Sequence, residues 1–228
     1  GVQFKNWNGV GLIPFASGSY GIQFDTTKFP QFIIPRLHKM YSNFSEKVRT
    51  VKKIKSLGRK VSLDGEEYDF VVDCRGYPED YSDYIISDKV YLDSAIAVRS
   101  YTPGDWEYTY HIAHKHGWMF GLPLQSRTGW GYLYNSKLTS QLEAQDDVAR
   151  ILEEYQVEFH SKDCREFSFK NYYAKSVMNE DGNIFVNGNR ALFLEPIQAT
   201  SLGCYGLIND MILDRIENDR YDNENYRK

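Results

Sequence analysis

Four stretches in the middle of this chain, residues 90–101, 107–113, 118–125 and 130–136, are dense in Val, Ile, Tyr, Phe and Trp and are separated by turn-forming residues. β-Branched and aromatic side chains suit a pleated, half-buried surface. Short spacers between consecutive strands join antiparallel neighbours. The pattern predicts a large, mostly antiparallel sheet. Helical signals lie outside it. Residues 27–41 read as a helix interrupted by Pro30 and Pro35, the second at a position a helix interior resists. Ser140-Gln141-Leu142-Glu143 has the form of a capping box, in which the serine and the glutamate each satisfy an orphan amide of the first turn. It opens a helix with apolar positions Leu142, Val148, Ile151 and Leu152, running to about Tyr155. A last helix is expected over Ile197–Ile216, irregular near Gly203 and Gly206. Residues 60–63 and 68–74 read as strands around the turn Asp64-Gly65, the second of them strongly apolar and expected to be buried. Residues 168–177 and 184–187 return to strand, and Gly188-Asn189 is a turn. Strands followed by helices around a broad sheet give an α+β fold. No repeat or linker divides the chain, so one domain is expected over 1–228.

Composition narrows the function classes. Aromatic residues make up 15% of the chain, with 18 Tyr, 13 Phe and 4 Trp, a content that suits either a β-rich core or a pocket for flat ligands. A net charge of −4 argues against broad nucleic-acid binding, which needs a basic face, and the basic run Lys52–Lys60 reads as a solvated edge. No apolar run reaches the length of a membrane span. Cys74, Cys164 and Cys204 are odd in number and lack metal-type spacing, so a reducing cytoplasmic setting is expected. Cys74 is expected to be a small buried hydrophobe. His111, His114 and His116 could suggest a metal, but on a strand only the last two share a face, and no metal site is expected. The strand-like opening and the uncapped polar end both read as cut.

Three segments carry a family resemblance. Asp69-Phe70-Val71-Val72-Asp73-Cys74-Arg75-Gly76 resembles the apolar strand and Asp-Cys-x-Gly turn of two-domain flavoproteins, whose glycine lets the backbone pass close to the cofactor. Gly117-Trp118-Met119-Phe120-Gly121-Leu122-Pro123-Leu124, followed by Gly129-Trp130-Gly131-Tyr132-Leu133-Tyr134, resembles the Trp-x-Trp-x-Ile-Pro signature and the strand after it in flavin-dependent tryptophan halogenases. Gly188–Ser201 resembles that family's glycine turn leading to Glu-Pro-Leu-Glu-Ser-Thr-Gly. The opening Phe4-Lys5-Asn6-Trp7 matches as well, and the order and spacing agree over nearly the whole chain.

The resemblance implies a flavin monooxygenase/halogenase-like fold, present here without its N-terminal dinucleotide-binding βαβ unit or its C-terminal region. It implies FAD as cofactor, a separate flavin reductase and an aromatic, indole-like small molecule as partners, and an aromatic ring halogenated by hypohalous acid that the reduced flavin forms and a tunnel delivers to a lysine. On this sequence it places cofactor contacts at Gly76, Gly188, Asn189 and Ala191, the tunnel at Trp118, Phe120 and Pro123, and the halide at Thr200 and Ser201. The catalytic position falls at Gln198. Several features depart from the pattern. No Gly-x-Gly-x-x-Gly fingerprint is present, and the family's lysine would fall two positions before Gly1. Gln198 replaces a glutamate, and an amide can hydrogen-bond but cannot serve as a base near neutral pH. Ser201 replaces a glycine, and Phe120 replaces a tryptophan. The expected function is therefore a fragment of an FAD-dependent halogenase-like oxidoreductase, inactive as this chain. The alternatives are a monooxygenase-like relative without halogenation, or a non-catalytic remnant that binds aromatic ligands or forms homo-oligomers through exposed apolar surface. For Glu195, before Pro196, a structural role in the first helical turn is expected.

Overall fold

The computed structural model describes residues 2–5, 11–13, 23, 25–89, 91–197 and 200–218. In chain order its elements are β1 (Val2–Lys5), β2 (Gly11–Ile13), α1 (Phe29–Met40), β3 (Ile54–Ser56), β4 (Val61–Leu63), β5 (Glu66–Tyr68), β6 (Val71–Asp73), β7 (Tyr84–Ile86), β8 (Ser94–Ser100), β9 (Tyr110–Ala113), β10 (Gly117–Leu124), β11 (Arg127–Tyr134), α2 (Gln141–Glu154), β12 (Cys164–Ser168), β13 (Tyr172–Ala174), β14 (Ile184–Val186), β15 (Leu192–Phe193) and α3 (Thr200–Asn218). They fall into two compact units. The first contains residues 1–47 and 91–169, the second residues 48–90 and 170–228.

The first unit is built on a seven-stranded sheet in the order β12-β8-β11-β10-β9-β1-β2. Every pairing is antiparallel except β1 with β9, as the aromatic segments predict. Because register sets the face, Ile96, Tyr132, Met119 and Ile112 form one row across four strands. That row is buried together with Val98 and Trp130. α2 supplies Ala144, Val148, Ile151 and Leu152 to the same core. Its capping box is complete: Ser140 accepts from the Glu143 amide, and Glu143 accepts from the Ser140 amide. Leu142 is not a core position and is 68% exposed. The buried stripe runs through Ala144, Asp147, Val148, Ile151 and Leu152, the helical spacing that places residues on one face.

On the opposite pleat face, Ala97, Gly131, Phe120 and His111 form the corresponding row. The Phe120 ring lies directly over Gly131, where an added β-carbon would overlap it. A glycine in a central strand thus provides the floor on which a neighbouring aromatic ring lies. β12 goes unnoticed in the sequence because Arg165 and Glu166 interrupt its apolar character. It is an edge strand, where charged side chains are common because they discourage further pairing. α1 forms over Phe29–Met40 with Pro30 in its first turn and Pro35 inside it, and none of its residues is buried.

The second unit joins smaller sheets to α3. β3, β4 and β5 form an antiparallel meander, and β15, β13 and β7 form another three-stranded sheet. The Asp64-Gly65 turn connects β4 to β5, with φ of 51° and 98°, the left-handed pair of a tight hairpin. The expected strand over 68–74 is in fact split. Tyr68 ends the meander, and Val71–Asp73 pairs in parallel with Ile184–Val186. It is not the buried apolar strand expected: Asp73 is its buried residue, whereas Val72 and Cys74 are exposed. Alternation explains the correction for Cys74, since a strand that turns Asp73 inward turns its neighbours outward. The expected strand over 168–177 is likewise only Tyr172–Ala174. α3 passes through Gly203 and Gly206 without a break. Ile208 and Ile212 bury its inner face with Met178, Phe185 and Ala191, and this packing outweighs the roughly 1 kcal/mol that each helical glycine costs.

Candidate cofactor site

β6 and β14 run in parallel with Asp73 opposite Val186, so both strands end at the same edge. Parallel strands present a ligand crevice beyond their carboxyl ends. Here one strand leads into Asp73-Cys74-Arg75-Gly76 and the other into Asn187-Gly188-Asn189-Arg190. Gly76, Gly188, Asn189 and Ala191, far apart in sequence, are thereby gathered on one edge of the second unit. Gly76 has φ of 88° and Gly188 of 59°, the region that favours glycine. A β-carbon on either would meet no atom within 4 Å. The backbone at both turns therefore faces open space, which suits a cofactor that must approach the main chain closely.

Asp73 holds the two turns in place. It is 6% exposed and accepts from the Arg75 Nε at 2.9 Å, its Nη2 at 2.8 Å and its backbone N–H at 3.1 Å. Arg190 Nε lies 3.5 Å from the same carboxylate. Burial alone would raise the Asp73 pKa, but the hydrogen bonds and charge of Arg75, with the charge of Arg190, hold it below the usual carboxylate range. The Asn187 amide donates to the Asp73 carbonyl at 3.1 Å. Asn187 also donates through Nδ2 to Asn209 Oδ1 at 2.7 Å, which ties the second turn to α3.

Asn189 is held by tyrosines. Tyr205 donates to its Oδ1 at 2.6 Å, and Tyr172 donates to its carbonyl oxygen. Tyr84 donates to the Arg190 carbonyl at 2.8 Å. Tyr172 is fully buried and packs edge-on against Tyr81 and Tyr84 at centroid distances of 5.0 and 5.4 Å. Burial, with neighbouring tyrosines, pushes its phenol pKa well up, so these hydroxyls act as neutral donors at physiological pH. Ala191 is buried, and its amide closes the turn onto the Gly188 carbonyl at 2.9 Å. Sequence reading finds the glycines but misses Asp73, Tyr172 and Tyr205, which fix the turns. The available signal was an aspartate inside an otherwise apolar strand, which must be paired to be buried.

The other candidates divide. Thr200 and Ser201 open α3, and the Ser201 hydroxyl accepts from the Leu194 amide at 3.2 Å. Gln198 lies outside the described residues, as do Asn6 and Trp7. Glu195 stands five residues before the start of α3, so its carboxylate is not in a first helical turn as expected. Its amide donates to Asn171 Oδ1 at 2.8 Å. Trp118, Phe120 and Pro123 lie on β10, in the first unit. Trp118 and Phe120 share a face with ring centroids 5.9 Å apart. Pro123, an odd number of residues away, projects from the other face. Trp130 is in the α2-facing core, stacked on Tyr110.

The same unit holds a polar cluster around a buried carboxylate that sequence reading did not foresee. Asp147 accepts at 2.6 Å from Tyr132 and at 3.1 Å from the His116 amide, and His114 Nδ1 lies 3.0 Å away. Among the described residues, no group of three or more His, Cys, Asp or Glu side chains is arranged to hold a metal ion, and no helix is long and apolar enough to cross a membrane.

Comparison with known proteins agrees with this architecture. The family model described as tryptophan halogenase matches residues 14–212. Tryptophan 7-halogenase KtzQ of Kutzneria sp. (strain 744) is 28% identical over 155 residues, a match covering 59% of this chain and 26% of the relative. Tryptophan 7-halogenase RebH of Lentzea aerocolonigenes is 27% identical over 149 residues, with the same coverages of 59% and 26%. This chain thus spans about a quarter of the length of the curated relatives it matches. Among solved structures, BrvH, a flavin-dependent halogenase from Brevundimonas sp. BAL3, superposes with a TM-score of 0.65 at 22% identity, covering 84% of this chain and 40% of that one. The tryptophan halogenase from Shewanella frigidimarina NCIMB 400 does so with a TM-score of 0.65 at 20% identity, covering 89% and 43%. At those identities the likeness shows the fold. The two sequence segments that lead into the glycine turns and the aromatic β10–β11 hairpin both fall inside the matched range, and the chain belongs to the tryptophan halogenase family.

Proposed function

We propose that this chain is the cofactor-contacting portion of an FAD-dependent, halogenase-like oxidoreductase acting on an aromatic, indole-like substrate, and that it does not halogenate by itself. The observation that carries this reading is the pair of open glycine turns at the shared edge of β6 and β14. Gly76, Gly188, Asn189 and Ala191 would hold the cofactor, whose isoalloxazine supplies the redox chemistry when bound. Arg75 and Arg190 bring positive charge to the same edge, and their pairing with Asp73 limits how far they can move toward a ligand. The tyrosines at 84, 172 and 205 keep the second turn rigid, which lowers the ordering cost of binding. Trp118 and Phe120 are assigned to the substrate side as an aromatic surface, and Pro123 to the structural support behind it. Thr200 and Ser201 are assigned to the halide. The electrons come from a separate flavin reductase. The inactivity rests on Gln198, whose amide cannot act as the base that the family's glutamate provides. The three free cysteines fit a reducing cytoplasm.

The test is titration of FAD and reduced FAD into the purified chain, followed by the flavin spectrum and by thermal stability. Saturable binding with a raised Tm, weakened by Gly76→Val or Gly188→Val, is the expected result. A flat response with a correctly folded protein would overturn the cofactor assignment. A second reading, self-association of a non-catalytic piece, is favoured by α1 and the residue that caps it, where Phe29, Phe32, Met40 and Tyr41 are exposed.

A further inference from the structure

We propose that the Phe120 face of the large sheet binds a small organic anion with a flat apolar body, an aryl carboxylate, through Arg99 and Arg165. A cleft of about 280 Å³ lies on this face, with Ala97, Gly129 and Phe120 in its floor and Arg99, Lys162 and Arg165 around it. The register explains the shape. Arg165 on β12 is opposite Ala97 on β8, and Arg99 is two residues further along β8 on the same face. Two guanidinium groups therefore rise from diagonal positions on adjacent strands, roughly 7–8 Å apart at the backbone. Between and beside them the side chains are as small as side chains can be: Ala97, and Gly129 opposite Arg99. The Phe120 ring lying over Gly131 forms an aromatic border to this floor.

The charge balance of the cleft is positive. A fourth cation, Arg127, is matched by Asp25 through contacts of 3.2 and 3.3 Å, but Arg99, Lys162 and Arg165 form no ion pair among the described residues. Asp163 is the single acid lining the cleft; its Oδ1 accepts from the Tyr101 hydroxyl at 3.2 Å and its Oδ2 is buried without a hydrogen-bond partner among the described residues, so one negative charge stands against Arg99, Lys162 and Arg165. Like charges on neighbouring strands repel one another, so an anion placed between Arg99 and Arg165 relieves a repulsion as well as forming charge-assisted hydrogen bonds. A carboxylate suits this task because its two oxygens match the fork of a guanidinium. A flat ring suits the rest of the cleft, where Ala97 and the Phe120 ring offer apolar surface and the Arg127 guanidinium lies against Gly129, a planar cation on which a ring face can stack. The inference deepens the substrate-side assignment of Phe120 and rests on it for the aromatic part of the ligand, but it uses only the first unit and not the glycine turns, so naphthoate binding and flavin binding can fail separately.

The experiment is calorimetric titration of the 228-residue chain, without flavin, with 2-naphthoate and with its neutral counterpart 2-naphthylmethanol. At low salt the anion is expected to bind about tenfold more tightly than the alcohol, with the preference shrinking as salt is added. In the double variant Arg99→Gln/Arg165→Gln, both side chains being exposed in the folded chain, the preference is expected to fall to about twofold or less with the Tm unchanged. Equal affinities for the two ligands, no heat with millimolar naphthoate, or an undiminished preference in the folded double variant would each overturn the proposal.

Discussion

Asp147 is the residue whose chemistry depends most on its surroundings. It is 2% exposed on the inner face of α2, and burial alone would raise its pKa. The hydrogen bonds from Tyr132 and the His116 amide, with the His114 imidazole 3.0 Å away, reverse that and hold it below the ordinary carboxylate value. A depressed folded-state pKa contributes stability that is present in full above the unfolded value, near 4, and lost as pH falls through the folded one. Acid titration of the native chain is expected to show destabilisation beginning below about pH 4. Asp147→Asn should flatten that limb and cost about 1–3 kcal/mol at neutral pH, measured by urea unfolding across pH. Gly131 gives a purely steric prediction. Gly131→Ala places a methyl group in the Phe120 ring and should cost about 1–3 kcal/mol. Combining it with Phe120→Ala should cost less than the sum of the two single changes, and a thermodynamic cycle measures the coupling.

At the scale of the element, α2 and the parallel pair β6–β14 are held by different means. α2 starts where a capping box starts it, and Ser140→Ala is expected to lower stability by about 1 kcal/mol, read as a lower urea midpoint with unchanged m. The capping box is visible in sequence because it is local: four consecutive residues carry all the information. The β6–β14 pair is not local. More than one hundred positions separate the strands, so nothing near Val71 announces Ile184 as its partner. What the sequence shows is each strand's ending in a glycine turn. The family resemblance of those turns nominates Gly76, Gly188, Asn189 and Ala191 one by one, while Asp73 and the tyrosines binding the turns together carry no such local mark. For the same reason β12 was missed, since an edge strand needs no continuous apolar pattern, and α3 was expected to falter at glycines that its packing tolerates.

Over the whole molecule, the family and the α+β class are legible in the sequence, as is the expectation of exposed apolar surface, but not which residues carry that surface. Phe29, Phe32 and Met40 on α1 and Leu202 and Leu213 on α3 are all exposed, each set falling on one side of its helix, and a helix face of this kind drives association in water. Sedimentation is expected to detect self-association of the isolated chain, reduced by Phe32→Glu or Leu213→Glu with the Tm retained; a monomer at all concentrations would refute this. By itself the sequence determined the secondary structure that nearest neighbours dictate: the alternating aromatic strands, the Asp64-Gly65 hairpin, the capped helix and the motifs that mark the family. Only the tertiary structure decided which face each side chain takes. It placed Phe120 over Gly131 with Pro123 behind the sheet, turned Cys74 outward because Asp73 is bound inward, and put Asp147 rather than Leu142 in the core. The physical reason is that propensity and capping act over a few residues, whereas register, burial and ion pairing depend on partners that chain connectivity does not specify.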